Sequence, residues 1–321
     1  MCDVVCGDEV KFLMPISGTP VLEGKLMEVL GLVGLPALMA ISSGRRQVVV
    51  GLIDGPVFLG HQNLATASIR EIPRMSGGCT RTSSLACRHG TFVAGIFAAT
   101  RSSSAPAICP DCSLLVRPIF SESVVEREQL PSATPQQLAQ ALCDCVRAGA
   151  WIVNLSSSMA APSASAQHQL CEALDFAAGK GVLVVAAAGN QGSLGSSAIT
   201  RHPWVIPVVG YGTDGRLMPQ SNLGSSSGKR GVGAPGEGIT SIAPDGGSVT
   251  LSGTSVAAAV VTASVALLWS LFPHASALEV KSAVVSSPRQ RCRNVVAPLL
   301  DSWNAYQMLT RVPRGGPVDN T

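Results

Sequence analysis

The feature that most restricts how this chain folds is the apolar run from Ser255 to Phe272, 18 residues without a charge. A run of that length forms either a bilayer span or a helix buried on all sides. Its many alanines, with Thr262 and Ser264 inside, favour a central helix packed tightly in a protein core. Ser252-Gly253-Thr254 precedes it, a small-residue turn that hands Ser255 to the N-terminus of the helix. Glycine lets backbones approach closely, and the positive end of a helix favours negative charge developing beside the serine hydroxyl. Alone, such a turn is more often a helix cap. A catalytic reading needs a base, an orienting acid and an oxyanion donor elsewhere in the chain.

The rest of the chain suits a core of that kind. Of 321 residues, 46% are hydrophobic, 13% are charged and 33 are glycine, which suggests one compact α/β domain with tight crossings. The net charge of +3 is weak, and no stretch concentrates Lys and Arg with aromatics, so nucleic-acid binding has no electrostatic footprint. The first nine residues carry acids where a signal peptide needs bases, and Met27–Ala40 is too short for a span and contains Glu28 and Pro36. A cytoplasmic protein with no membrane partner is the expectation. Of the ten cysteines, Cys109 and Cys112 have CxxC spacing, but no second pair completes a zinc site. Cys79 and Cys87 bracket a short polar loop and are placed for a local disulfide in an oxidising setting. For most of the ten, reduced thiols acting as small apolar residues are favoured.

Residues 1–21 read as a tail or edge segment, 22–310 as the single domain, and 311–321 as a flexible tail. Leu22–Ala40 holds one short helix stopped near Pro36. Gln47–Ile53 is a continuous β-branched strand buried on both faces, ending in Asp54-Gly55-Pro56. Residues 60–87 are polar and loop-like, after which His89-Gly90-Thr91 opens a small-residue helix. Strands follow at Ser113–Phe120, Trp151–Leu155, Val182–Ala188 and Val205–Val209. Thr134-Pro135-Gln136-Gln137 starts a helix with a capping box, and further helices are expected at 165–178 and 276–286. The alternation of strand and helix predicts right-handed crossovers and a doubly wound, mostly parallel sheet between helical layers.

Asp54 then lies at a strand's carboxyl end, where such sheets place their sites. His89 opens a helix, Asn190 ends a strand, and Ser255 opens the apolar helix. These four are the parts acyl transfer requires: acid, base, oxyanion donor and nucleophile. In that order the residues resemble the subtilisin-like serine proteases. The resemblance is carried by Val49–Gly55, Cys87–Ile96, Ala187–Gly192 and Ser252–Ala257, with Gln220–Gly224 and Ala234-Pro235-Gly236 fitting between them. It implies a subtilisin-like three-layer α/β/α fold in which Ser255 attacks the scissile carbonyl, His89 shuttles the proton and Asp54 stabilises the imidazolium. The Asn190 amide would join the Ser255 N–H in the oxyanion hole.

The chain departs from the family pattern at Phe92 (often a second His), Val256 (usually Met) and Ala259 (usually Pro). Ala259 removes a helix-start constraint, so an altered rate is expected rather than loss. Asp54-Gly55-Pro56-Val57 and Pro118-Ile119-Phe120 resemble the proteases that mature ribosomally made peptides, of the cyanobactin type. The resemblance further implies a peptide held between Phe120, Ser121, Glu122, Ser123 and Leu155, Ser156, Ser157, Ser158. The S1 pocket would be walled by Ser156–Ser158 with Ala187, Ala188 and Gly189, suiting an uncharged side chain. Glu122, Glu126 and Glu128 would then favour basic residues at outer positions.

About 46 residues precede the first motif strand, short for a separately folding inhibitory segment, so the enzyme is expected to be made active. The 35-residue step from Asp54 to His89 lacks the helical insertion of macrocyclising relatives, which favours hydrolysis over ring closure. No cofactor is required by this chemistry, and family-type calcium bound through loop carbonyls has no sequence signature. The substrate implied is a precursor peptide. The competing readings are a broad degradative protease and an inactive peptide-binding fold. His61, His168, His202 and His274 lack a matching context and are expected to be structural or exposed.

Overall fold

The β-branched runs become the central strands of one parallel sheet. In the computed structural model, residues 10–12, 16–17, 23–72, 78–122, 131–159, 164–288 and 294–312 are described. In chain order the elements begin with β1 (Val10–Phe12), β2 (Ile16–Ser17), α1 (Glu23–Gly31), α2 (Leu35–Ile41), β3 (Val49–Asp54), β4 (Ser68–Glu71) and α3 (Leu85–Ala98). Next come β5 (Ser113–Pro118), β6 (Ser132–Ala133), α4 (Pro135–Arg147), β7 (Ile152–Leu155), β8 (Ser157–Met159), α5 (Ala164–Gly179) and β9 (Leu183–Ala187). The chain continues with α6 (Ala198–Arg201), β10 (Val205–Tyr211), α7 (Ser225–Arg230), β11 (Val232–Pro235), β12 (Ile239–Ile242) and β13 (Ser248–Ser252). It closes with α8 (Thr254–Leu271), α9 (Ala277–Ser286) and α10 (Ser302–Thr310).

The main sheet has seven strands in the order β11-β10-β9-β7-β3-β5-β4, and every adjacent pair is parallel. Helices cover both faces, as parallel strands buried on both sides require. On one face α4 and α5 pack together, α4 against β3 and β5 and α5 against β9. On the other, α8 crosses β7, β9, β10 and β11 while α3 lies over β3 and β5. The strand residues alternate accordingly: Val50 and Leu52 enter the α8 core, Ile53 and Val153 the α4–α5 core. This is the expected three-layer arrangement.

Two small antiparallel sheets flank the carboxyl edge, β6-β1-β8 and β12-β13-β2. Both recruit the N-terminal segment, which sequence assigned to a tail or an edge.

Helix α8 is 94% buried over its 18 residues, which identifies it as the core helix of the fold rather than a bilayer span. Its hydroxyls are paired: Ser264 and Ser270 donate to the carbonyls of Val260 and Ala266 (2.8 and 2.7 Å), and Thr262 donates to Asn154 Oδ1 (2.9 Å).

Several local expectations change. Pro36 does not stop a helix; it lies in the first turn of α2, where its missing N–H breaks no helical bond. The loop at 60–87 contains β4 on the sheet edge. Helix α3 begins before His89, capped by Ser84 Oγ, which accepts from Cys87 N at 3.1 Å. The capping box at Thr134 and Gln137 forms as the spacing predicts, and a second forms at Ser276 and Glu279.

Candidate active site

The site lies where the strand order reverses. From β3 the chain adds β4 and β5 on one side, then β7, β9, β10 and β11 on the other, leaving a crevice at the carboxyl ends. Asp54 is the last residue of β3. Its Oδ1 accepts from Gly55 N (2.7 Å) and lies 2.7 Å from His89 Nδ1.

That short contact needs the end of β3 and helix α3 to touch backbone to backbone. A Cβ on Gly90 would stand 2.4 Å from the Gly55 carbonyl oxygen and 2.6 Å from that of Pro56, and one on Gly55 would stand 2.0 Å from the Ala86 oxygen. No real side chain occupies such spaces, so the two glycines set the acid–base distance.

On its other side His89 Nε2 is 3.1 Å from Ser255 Oγ. Ser255 enters as the second residue of α8, so its backbone N–H is among those with no partner inside the helix. The turn before it depends on Gly253, at φ +155°. A Cβ there would meet Asn190 Nδ2 at 2.9 Å and Ser255 Oγ at 3.5 Å. The asparagine amide and the nucleophile therefore border the same space. Thr254 orients that amide: its N–H and its Oγ1 both donate to Asn190 Oδ1, at 2.9 and 2.8 Å. Thr254 Oγ1 in turn accepts from Gly189 N at 3.1 Å. With its oxygen engaged twice, the amide presents Nδ2 toward Gly253 and Ser255.

Asp54, His89 and Ser255 all have side chains within 1% of complete burial. In such a setting charge developing on an attacked carbonyl is stabilised by fixed donors rather than water. A buried carboxylate, imidazole and hydroxyl bonded in series is the arrangement of a serine hydrolase.

The wall residues are small, as expected. Leu155, Ser156, Ser157, Ala187 and Ala188 are buried around the crevice. Asn154 anchors Ser156 by donating from Nδ2 to its Oγ (2.8 Å) while accepting from Thr262 of α8. Ser158 does join an added strand, through β8 and β1. On the opposite side the pairing strand is β6, at Ser132–Ala133, rather than Phe120–Ser123. The backbone at 119–120 is already committed, since Ile119 N and Phe120 N both point at Asp54 O (2.9 and 3.4 Å), and Phe120 is buried. Ser121 is exposed. Ser123, Glu126 and Glu128 lie outside the described residues.

Glu122 has a local task that the sequence did not disclose. It accepts from Thr80 N (3.0 Å), Thr80 Oγ1 (2.7 Å), Arg81 N (3.0 Å) and Ser84 Oγ (3.3 Å). Burial raises its pKa, but these hydrogen bonds outweigh burial and hold it below the ordinary carboxylate value. Beside it, Cys79 and Cys87 form a disulfide with Cα atoms 5.6 Å apart. Among the described residues this is the one grouping with metal-ligand spacing, and its sulfurs are spent on each other. Disulfide and carboxylate together tie the loop to the first turn of α3, which carries His89. Replacing both cysteines by serine is expected to lower stability by about 2–3 kcal/mol for so short a closed loop, read as a shift in the urea midpoint.

The remaining histidines are structural or exposed, as expected. His61 is buried, accepting from Asn63 N through Nδ1 (3.1 Å), with Nε2 3.3 Å from the Gly247 carbonyl. His202 is buried beside Asp175 (3.1 Å), while His168 and His274 are exposed. Cys109 and Cys112 are free and buried.

Residues 45–300 match the model of the subtilase family, Peptidase_S8. The chain belongs to that family and is a subtilisin-like serine protease. Subtilisin DY of Bacillus licheniformis is 29% identical over 242 residues, 75% of this chain and 83% of that protein. Among solved structures, the patellamide maturation protease PatA is 29% identical with a TM-score of 0.72, over 83% of this chain and 98% of that one. The prenylagaramide maturation protease PagA is 27% identical with a TM-score of 0.75, over 86% and 98%. A lanthipeptide protease at 21% identity and TM-score 0.73, over 92% and 99%, shares the fold.

Proposed function

We propose that this protein hydrolyses peptide bonds in a precursor peptide through an acyl-enzyme. The carrying observation is the buried series from Asp54 Oδ1 through His89 to Ser255 Oγ, at 2.7 and 3.1 Å, beside the Asn190 amide. Ser255 Oγ attacks the carbonyl carbon while His89 Nε2 takes its proton. The oxyanion receives hydrogen bonds from Ser255 N–H and Asn190 Nδ2. His89 then returns the proton to the leaving amine, and water, activated by the same imidazole, releases the acid. Asp54 stays ionised and holds the tautomer.

The crevice walls of Ser156, Ser157, Ser158, Ala187, Ala188 and Gly189 suit an uncharged P1 side chain, the peptide adding as a strand alongside β8. Similarity to the PatA and PagA maturation proteases supports a precursor as the substrate class. Any calcium is expected to act on stability, so chelation should lower Tm without altering the order of the chemical steps.

A fluorophosphonate probe and mass spectrometry of precursor digests test the reading together. Labelling that depends on Ser255, with cuts at one or two positions, is the expected result. Labelling with indiscriminate cuts would favour a degradative subtilisin, and folded protein that takes no label would overturn the protease. Asn190→Ala is expected to reduce kcat by about 10²–10³ with little change in KM, the magnitude known for subtilisin's oxyanion asparagine. Thr254→Val, which leaves that amide unanchored, should cost about tenfold.

A further inference from the structure

We propose that the segment from Val10 to Ser17 is the enzyme's own first substrate, bound in its crevice and cut in cis. This rests on the protease reading above.

The strand pairings give a path with a direction. β8 leads away from the end of β7, where the crevice lies, and β1 runs antiparallel to it: Val10 faces Met159, Lys11 faces Ser158 and Phe12 faces Ser157. The chain therefore travels toward the crevice, flanked on its other side by β6. β13 runs toward Ser255, and β2 is antiparallel to it, with Ile16 facing Ser252 and Ser17 facing Leu251. The chain therefore leaves the crevice along β13, having paired with a residue three positions before the nucleophile. From Phe12 to Ile16 is four residue steps, at most about 14 Å when extended. So short a link joins the two walls only by passing the triad between them.

A peptide added as a strand on both sides of a nucleophile is held as a protease holds its substrate. Val10 anchors it, fully buried in the cluster that includes Phe120 and Ala133.

The linking sequence is Leu13-Met14-Pro15. Phe12 and Ile16 are held in ladders, and the bond before Pro15 is a tertiary amide, which leaves Leu13–Met14 as the central secondary amide. Ser255 Oγ bonds to the Leu13 carbonyl carbon, and the carbon–nitrogen bond to Met14 breaks. The serine proton passes through His89 to the Met14 amine. Water then cleaves the ester, leaving a Leu13 carboxylate and restoring Ser255. Until that cut the crevice is filled, so an external peptide waits on it.

Intact-mass and N-terminal analysis of the full chain tests this. Wild-type protein should acquire a new N-terminus at Met14 with a first-order rate independent of protein concentration, and Ser255→Ala should stay whole. Val10→Asp, outside the catalytic machinery, should expel the segment. It should slow the cut by tenfold or more while turnover of an external peptide begins without a lag. Wild-type enzyme that labels with fluorophosphonate and turns over peptide, yet keeps residues 12–16 joined, would overturn the proposal and leave the protease reading standing. A cut whose rate scales with enzyme concentration would overturn the cis step. Absence of labelling and turnover would remove both.

Discussion

Ser255→Ala is expected to reduce peptide turnover by about 10⁶-fold, the magnitude known for loss of the nucleophile in a subtilisin. The hydroxyl is the atom that forms the acyl bond, and no other serine lies within reach of His89 Nε2 among the described contacts. Stability should move little, because alanine fits the space and one hydrogen bond of about 1 kcal/mol is lost. His89→Ala alone should cost about as much, and adding it to Ser255→Ala should cost almost nothing more. The two side chains act in one proton transfer, so their effects do not add. A double variant markedly slower than either single one would mean that a second route to the acyl-enzyme exists.

The second large effect is expected at a residue with no side chain. Gly90→Ala inserts a methyl 2.4 Å from one carbonyl oxygen and 2.6 Å from another, and neither oxygen belongs to a flexible side chain. Helix α3 must back away from β3, and His89 moves with it. Overpacking of this kind costs about 1–3 kcal/mol of stability. The rate should suffer more, by up to about 10⁴-fold in kcat, the scale known for a subtilisin deprived of its aspartate. KM should change little, because the peptide-binding edges belong to other strands. Gly179→Ala is the control: a methyl there has nothing within 4 Å and should leave kcat unchanged. Wild-type kcat in Gly90→Ala would show that the acid–base distance is not set by this contact.

How much of this could be read from sequence depended on burial. The central strands were legible because both their faces are buried, which forces uninterrupted runs such as Val48–Ile53 and Leu183–Ala187. The triad was legible because each member sits at the end of such a run or at the head of the apolar helix. β4 was not, since Ser68-Ile69-Arg70-Glu71 is an edge strand with no fully buried residue and so carries no pattern. β1 and β2, three and two residues long, are shorter than any period can reveal and are defined only by the strands they join. The start of α3 was placed late because Cys87-Arg88-His89 mixes a disulfide half, a cation and a catalytic base, none of which signals a helix. Glu122 was given a role toward substrate because its four donors come from residues about 40 positions earlier in the chain. Thr254's hold on Asn190 spans 64 positions and was equally hidden.

The burial of α8 also bears on how long an active molecule lasts. Backbone amides from Val256 to Leu271 have no route to solvent short of opening the whole domain, so their hydrogen exchange should report the global free energy. The nucleophile stands at the head of that same element. A molecule frayed at its edges keeps its chemistry, and one that loses its chemistry has already come apart. Loss of activity on heating should therefore follow the unfolding rate with no partly open, still-cutting form along the way.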